Sequence, residues 1–125
     1  MATITVSAAT FSETVEQSGI VLVDFWAAWC GPCRAFAPVF QAASDEHEEM
    51  VFAKVDTEAE PQLAGSMGIR SIPTLMVFRD GILVFSEPGA LPASSLAKLI
   101  QAVEELDMDS VRAEIASGAA AAEAV

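Results

Sequence analysis

The 125-residue sequence predicts an α/β fold: a mixed β-sheet with helices on both faces. Three observations carry this. Residues 20–26, "IVLVDFW", are nearly continuous in apolar and β-prone residues, as a central strand covered on both sides must be. Strand-like and helix-like segments alternate along most of the chain, which favours crossover connections and parallel pairing. Near the end, "TLMVF" (74–78) and "ILVF" (82–85) flank "RDG", a hairpin signal with Asp80 and Gly81 at the turn, and so add antiparallel strands to the sheet.

In chain order, Ile4–Val6 is a short strand. Thr10 and Glu13 have capping-box spacing ahead of a short helix. The strand 20–26 follows, and beyond two cysteines Phe36, Val39, Phe40 and Ala43 recur at helical spacing to about His47. Pro38 sits inside that pattern and should kink the helix. Val51–Val55 is the next strand, and "PQLAGSM" a short helix opened by Pro61. After the hairpin, Ser94 is placed to cap a last helix whose apolar face is Leu96, Leu99, Ile100 and Val103. Residues 1–108 read as one domain and 109–125 as an alanine-rich C-terminal extension. In it "DSVRAEIA" can form a short helix, while "SGAAAAEAV" has little to bury and is expected to be frayed and partly disordered.

Composition narrows the function classes. Just over half the residues are apolar, enough for one good core. Eighteen acidic residues stand against six basic ones, which argues against a nucleic-acid partner, because that affinity depends on Lys and Arg releasing counterions. The acids cluster in "DEHEE" (45–49), "DTEAE" (56–60) and "EELDMD" (104–109), read either as solvated surface or as a docking face for a basic partner. No apolar run approaches the roughly 18 residues of a membrane helix, so no membrane association is expected. "MATITVSAATF" has neither a basic n-region nor a long h-region, so a reducing, cytoplasmic setting is expected.

In such a setting a close cysteine pair is more often catalytic or metal-binding than structural. The only two cysteines, Cys30 and Cys33, are separated by Gly31 and Pro32 at the start of a helix. Cys30 then lies near unpaired backbone N–H groups and the positive end of the helix dipole, both of which favour a thiolate. Cys33, one turn on, points toward the core, and Pro32 restricts the turn between them. A zinc site lacks ligands, since only the distant His47 joins the two cysteines, so no metal is expected. Asp24 lies in the central strand six residues before Cys30. Burial should raise its pKa and keep it protonated at neutral pH, beneath the cysteine pair and able to exchange a proton with Cys33. A solvent-facing carboxylate at a sheet edge is the alternative, and Lys54 is either its partner or a solvated lysine. "SIPT" (71–74) places Pro73 at a strand start, where the sequence alone favours a trans bond.

"DFWAAWCGPCRAFAPVF", "KVD", "GIRSIPTLMVFRDG" and "PGAL", in this order and spacing, resemble the thioredoxin family over about residues 3–106. The resemblance implies the thioredoxin fold, with Cys30 as nucleophile, Cys33 as resolving cysteine, Asp24 as buried acid/base and Pro73 as a cis proline facing the pair. Trp26, Trp29, Gly31, Pro32 and Lys54 would support the site, and Trp29, Ile72, Pro73, Gly89 and Ala90 would contact substrate. Arg34 stands where a lysine is common, and Pro88 where a β-branched residue is usual. The implied activity is protein disulfide reduction by a monomer acting on diverse disulfide-containing proteins. The chain would carry no cofactor of its own, and a flavin- and NADPH-dependent thioredoxin reductase would recycle it. An oxidase or isomerase on the same fold, or a non-catalytic binding module, are the rivals; Gly31–Pro32 between the cysteines resembles the reductase type.

Overall fold

The computed structural model describes residues 3–124, with side chains through residue 118. The elements are β1 (Thr3–Thr5), α1 (Ala8–Glu16), β2 (Ile20–Trp26), α2 (Gly31–Glu46), β3 (Val51–Asp56), α3 (Pro61–Ser66), β4 (Thr74–Arg79), β5 (Ile82–Pro88), α4 (Ala93–Glu104) and α5 (Met108–Ala124). One sheet runs β1-β3-β2-β4-β5. The first three of these strands are parallel, and β4 and β5 join antiparallel. The expected mixed sheet is therefore present, with β2 in its centre.

Alternation along β2 sorts the two cores. Val21, Val23 and Phe25 pack with Phe11 and Val15 of α1 and with Met76 and Phe78 of β4. Leu22 faces the other way, onto Phe36 and Phe40 of α2 and Leu96, Ile100 and Val103 of α4. Each such fully buried side chain contributes about 1.5–3 kcal/mol relative to exposure. Phe36 and Phe40, one turn apart on α2, bind that helix to the sheet, and Phe40 meets the Phe52 ring at 5.2 Å in an edge-on arrangement. Asp24 projects on the Leu22 side, the side that α2 covers.

Several boundaries differ from expectation for local reasons. β1 begins at Thr3 and ends before the buried Val6, rather than spanning Ile4–Val6. The N-cap of α1 is Ser7, with Thr10 and not Glu13 in the return position: the Ser7 N–H donates to Thr10 Oγ1 at 3.1 Å. Glu60 adds a second support, accepting from the Ala8 N–H at 2.9 Å and so joining the start of α1 to α3. α4 is entered through Pro92, whose carbonyl accepts the Leu96 N–H at 3.0 Å, so Ser94 lies inside the helix and caps nothing. β5 continues to Pro88, three residues past the expected end.

The turn of the hairpin has positive φ at both Asp80 (52°) and Gly81 (80°), the conformation whose twist matches the flanking strands. Asp80 also ties this turn to the start of β2, accepting the Gly19 N–H at 2.8 Å and donating its own N–H to the Gly19 carbonyl at 2.9 Å. Beside it, Arg79 reaches the end of α4. Its Nη1 donates to the carbonyls of Val103 (2.7 Å), Glu104 (3.2 Å) and Leu106 (2.8 Å) where α4 closes; the Val103 carbonyl also accepts the Leu106 N–H at 3.2 Å.

α5 is longer than the expected "DSVRAEIA" helix. Asp107 begins it, its Oδ1 accepting from the N–H groups of Asp109 and Ser110 at 3.1 and 3.3 Å. Met108, the last residue of the expected domain, is buried. The helical backbone runs on through most of "SGAAAAEAV"; the side chains from 119 onward, and Val125 altogether, lie outside the described residues, and the expectation of a frayed end falls largely on them. Among the described residues no helix is long and apolar enough to cross a membrane.

Candidate active site at the β2–α2 junction

β2 delivers the chain into a short loop that ends at Cys30, the N-cap of α2. The turn leaves the first N–H groups of the helix without intrahelical acceptors, and one of them is aimed at sulfur: the Cys33 N–H donates to Cys30 Sγ at 3.2 Å. Cys30 and Cys33 are joined as a disulfide, their Cα atoms 5.2 Å apart. Both are 3% exposed, so exposure does not distinguish them. Position does: Cys30 sits at the positive end of the helix, Cys33 inside its first turn. Such a site stabilises negative charge on Cys30 when the bond opens.

The loop is held from both sides. The Arg34 guanidinium donates to the Ala28 carbonyl at 2.9 Å. Thr57 donates to the Trp26 carbonyl twice, from its N–H at 2.9 Å and its Oγ1 at 3.1 Å. Neither Ala28 nor Thr57 carries a sequence signal that would single it out. Ala27 is also buried against the pair, with Trp26 and Ile72 packed around it. Trp29 stands out from the surface at 67% exposure, and Gly31 and Pro32 are exposed beside it.

The Ile72–Pro73 bond is cis, as the resemblance implies and against the bare sequence preference. It brings the Ile72 carbonyl to 3.6 Å from Cys30 Sγ. In the disulfide that sulfur carries no proton, so this is a contact and becomes a possible hydrogen bond only on reduction. The Ile72 N–H has no backbone acceptor among the described residues. The Pro73 carbonyl accepts the Gly89 N–H at 2.8 Å, tying the proline turn to the exposed Gly89–Ala90 segment.

That bond also accounts for Pro88. Because Gly89 and Pro73 form a hydrogen-bonded pair, the adjacent Thr74–Pro88 pair is of the other kind, with its N–H groups directed away from the partner strand. Pro88 therefore removes no ladder bond. It removes an outward donor at the redox end of the edge strand, where a second strand would otherwise add.

Asp24 is fully buried in the strand, not at a sheet edge, and neither carboxyl oxygen has a hydrogen-bond partner among the described residues. It faces Lys54 across the β2–β3 ladder. Desolvation pushes its pKa up to about 6, with the Lys54 charge pulling the other way. Burial thus moves the titration of this acid up toward neutrality, and Lys54 offsets part of the rise. Lys54 in turn lies 4.9 Å from the centroid of the Trp26 ring, so the lysine is engaged rather than freely solvated.

His47 is at the far end of α2, 3.5 Å from Glu49, and cannot join the cysteines as a ligand. Among the described residues no cluster of His, Cys, Asp and Glu is arranged to hold a metal.

The thioredoxin family model matches residues 2–102. A Streptomyces coelicolor protein named as a thioredoxin 2 is 51% identical over 106 residues, covering 85% of this chain and 79% of that one. Thioredoxin 1 of Synechococcus elongatus is 48% identical over 97 residues, 76% of this chain and 91% of its own. The solved structure of Plasmodium falciparum thioredoxin superposes with a TM-score of 0.71 at 37% identity, covering 81% of this chain and 97% of that one. With the fold, the cysteine pair and the cis proline in agreement, the chain belongs to the thioredoxin family and is a thiol–disulfide oxidoreductase.

Proposed function

We propose that the two cysteines divide the reaction between them, Cys30 attacking and Cys33 resolving, with Asp24 as the proton acceptor. The observation that carries this reading is the Cys33 N–H aimed at Cys30 Sγ at the head of α2. In the reduced protein the Cys30 thiolate attacks one sulfur of a substrate disulfide. A mixed disulfide forms, and the other substrate sulfur leaves as a thiolate that takes up a proton. Cys33 then loses its proton to the Asp24 carboxylate and attacks Cys30 Sγ. The Cys30–Cys33 bond closes, the second substrate thiolate departs, and two electrons have passed to the substrate. A pKa of about 6 suits Asp24 to this, because a base works best when its pKa lies near the working pH.

Substrate enters as an extended segment paired with the Ile72 main chain beside Pro73, with Trp29, Gly89 and Ala90 forming the surrounding contact surface and Trp26, Gly31, Pro32 and Lys54 supporting the pair. The unpaired Ile72 N–H supports this reading. Main-chain pairing reads no side chains and suits a reductase with diverse protein substrates. The protein acts as a cytoplasmic monomer recycled by a thioredoxin reductase, and residues 109–125 form an extension to the redox domain at 1–108. The test is insulin reduction driven by dithiothreitol. The protein should accelerate it strongly, and a rate equal to dithiothreitol alone would contradict the reading.

A further inference from the structure

Among the described residues only four large apolar side chains are substantially exposed: Ile4, Trp29, Leu83 and Ile115. Trp29 belongs to the redox surface and Ile4 stands singly on β1. The other two, 45% and 51% exposed, line one groove together with Val84, Leu106, Val111 and Glu114. Its volume is about 350 Å³, room for aliphatic side chains from another molecule. One wall is the edge strand β5 and the other is α5, beyond the end of the family match at residue 102.

The charged side chains of the groove and its flanks are mainly acidic; Arg79 also reaches it, its guanidinium held on the Leu106 carbonyl at 2.8 Å and on those of Val103 and Glu104. Leu106 lies between Glu105 and Asp107, and Glu114 is itself a lining residue. Arg112, the only cation in α5, is paired with Asp109 at 3.1 Å. A second copy of this chain, with a net charge of −12, would bring like charge to an acidic surface. Strand addition is also disfavoured, because the β4–β5 ladder shifts register at Val77/Phe78, which interrupts the regular edge that a new strand would need. An occupant of opposite charge that inserts side chains rather than backbone meets these conditions.

We propose that the groove between β5 and α5 docks a basic amphipathic helix of a partner protein, its apolar stripe on Leu83 and Ile115 and its Lys and Arg residues against the acidic surround. Helix-in-groove recognition uses apolar anchors at helical spacing, and the flanking charges speed encounter and set salt dependence. The groove is at the turn end of β5, whereas Pro88 is at the redox end. A docked partner thus leaves Cys30 accessible, and a partner that also carries the target disulfide presents it at raised effective concentration.

The probe is a synthetic helical peptide of leucine and lysine with leucines at helical spacing, measured by fluorescence anisotropy against the full chain. A scrambled peptide of the same composition serves as the control for bulk charge. The amphipathic peptide should bind, more weakly as salt rises. Leu83→Ser and Ile115→Ser, which leave charge unaltered, should each weaken binding by about tenfold or more. Insulin reduction should stay at the wild-type rate in both variants, and their circular dichroism should match the parent. Amide shift changes in labelled protein should centre on residues 83–84 and 106–115. The proposal is overturned if the scrambled peptide binds equally well, if neither substitution weakens binding, if the shifts centre on Trp29, or if sedimentation shows the groove closed by dimerisation.

Discussion

The two ends of the sheet treat polar groups in opposite ways. At the hairpin end loop and helix-end backbone groups are tied by side chains. Asp80 and Gly19 exchange two hydrogen bonds, and one guanidinium, that of Arg79, reaches three carbonyls at the close of α4. At the redox end groups are left open. Among the described residues the buried Asp24 carboxyl has no hydrogen-bond partner and the Ile72 N–H no backbone acceptor, and Trp29 faces solvent. Buried polar groups are nearly always paired, so the exceptions mark where a fold has given up stability for reactivity. The hairpin end holds the molecule together, and the redox end does chemistry.

The contrast is broken most sharply by removing the sulfur proposed to attack. Cys30→Ser should abolish insulin reduction while leaving the far-ultraviolet spectrum and the β4–β5 hairpin intact; appreciable turnover would assign the attack elsewhere.

The next effect is on stability and depends on pH. The Asp24 pKa is raised from 3.8 to about 6 by folding, so the native state holds this proton more tightly than the unfolded chain. The resulting stabilisation is complete below about pH 4 and is lost as pH rises through about 6, a change on the order of 3 kcal/mol. Asp24→Asn should remove that slope. Urea titrations of the reduced proteins should therefore show the variant gaining on wild type between pH 4 and 7, by about 2–3 kcal/mol at the upper end. It should also slow release of the mixed disulfide at neutral pH. A stability difference that is flat with pH would show that Asp24 is not desolvated.

At the opposite end the prediction reverses. Arg79→Ala takes this donor from three carbonyls, of which Val103 keeps the Leu106 N–H, and should cost about 2 kcal/mol, read from thermal melting, with insulin reduction unchanged. A loss of activity without a loss of stability would erase the division between the two ends.

The smallest expected effect is truncation after Leu106. Burial of Met108 gives the start of α5 a modest hold on the domain, so the shortened chain should lose about 1.5 kcal/mol and keep its activity. An unchanged melting temperature would mean that Met108 packs on nothing that matters.

What was legible in the sequence follows the same division. β2 was readable to the residue because a doubly covered strand has no polar face to blur its ends. The hairpin turn was readable because Asp-Gly answers a specific backbone need. The Cys30-Gly31-Pro32-Cys33 spacing by itself points to redox chemistry. The Arg79 clamp was not legible, since its partners are carbonyls 24 to 27 residues away, and carbonyls have no sequence signature. Ser94 and Glu13 had the right chemistry for caps but lost to tertiary placement: the helices start where Leu96 and Phe11 can reach the core. The titration of Asp24 needed the register with Lys54, which no local pattern reveals.

The central claim, that α2 makes Cys30 the attacker and Cys33 the resolver, is tested most directly by locating the trapped intermediate. Cys33→Ser protein is mixed with oxidised insulin, quenched with acid and mapped by mass spectrometry. The account predicts a persistent mixed disulfide through Cys30. In the reciprocal variant, Cys30→Ser, an adduct on Cys33 forming at the same rate would contradict it.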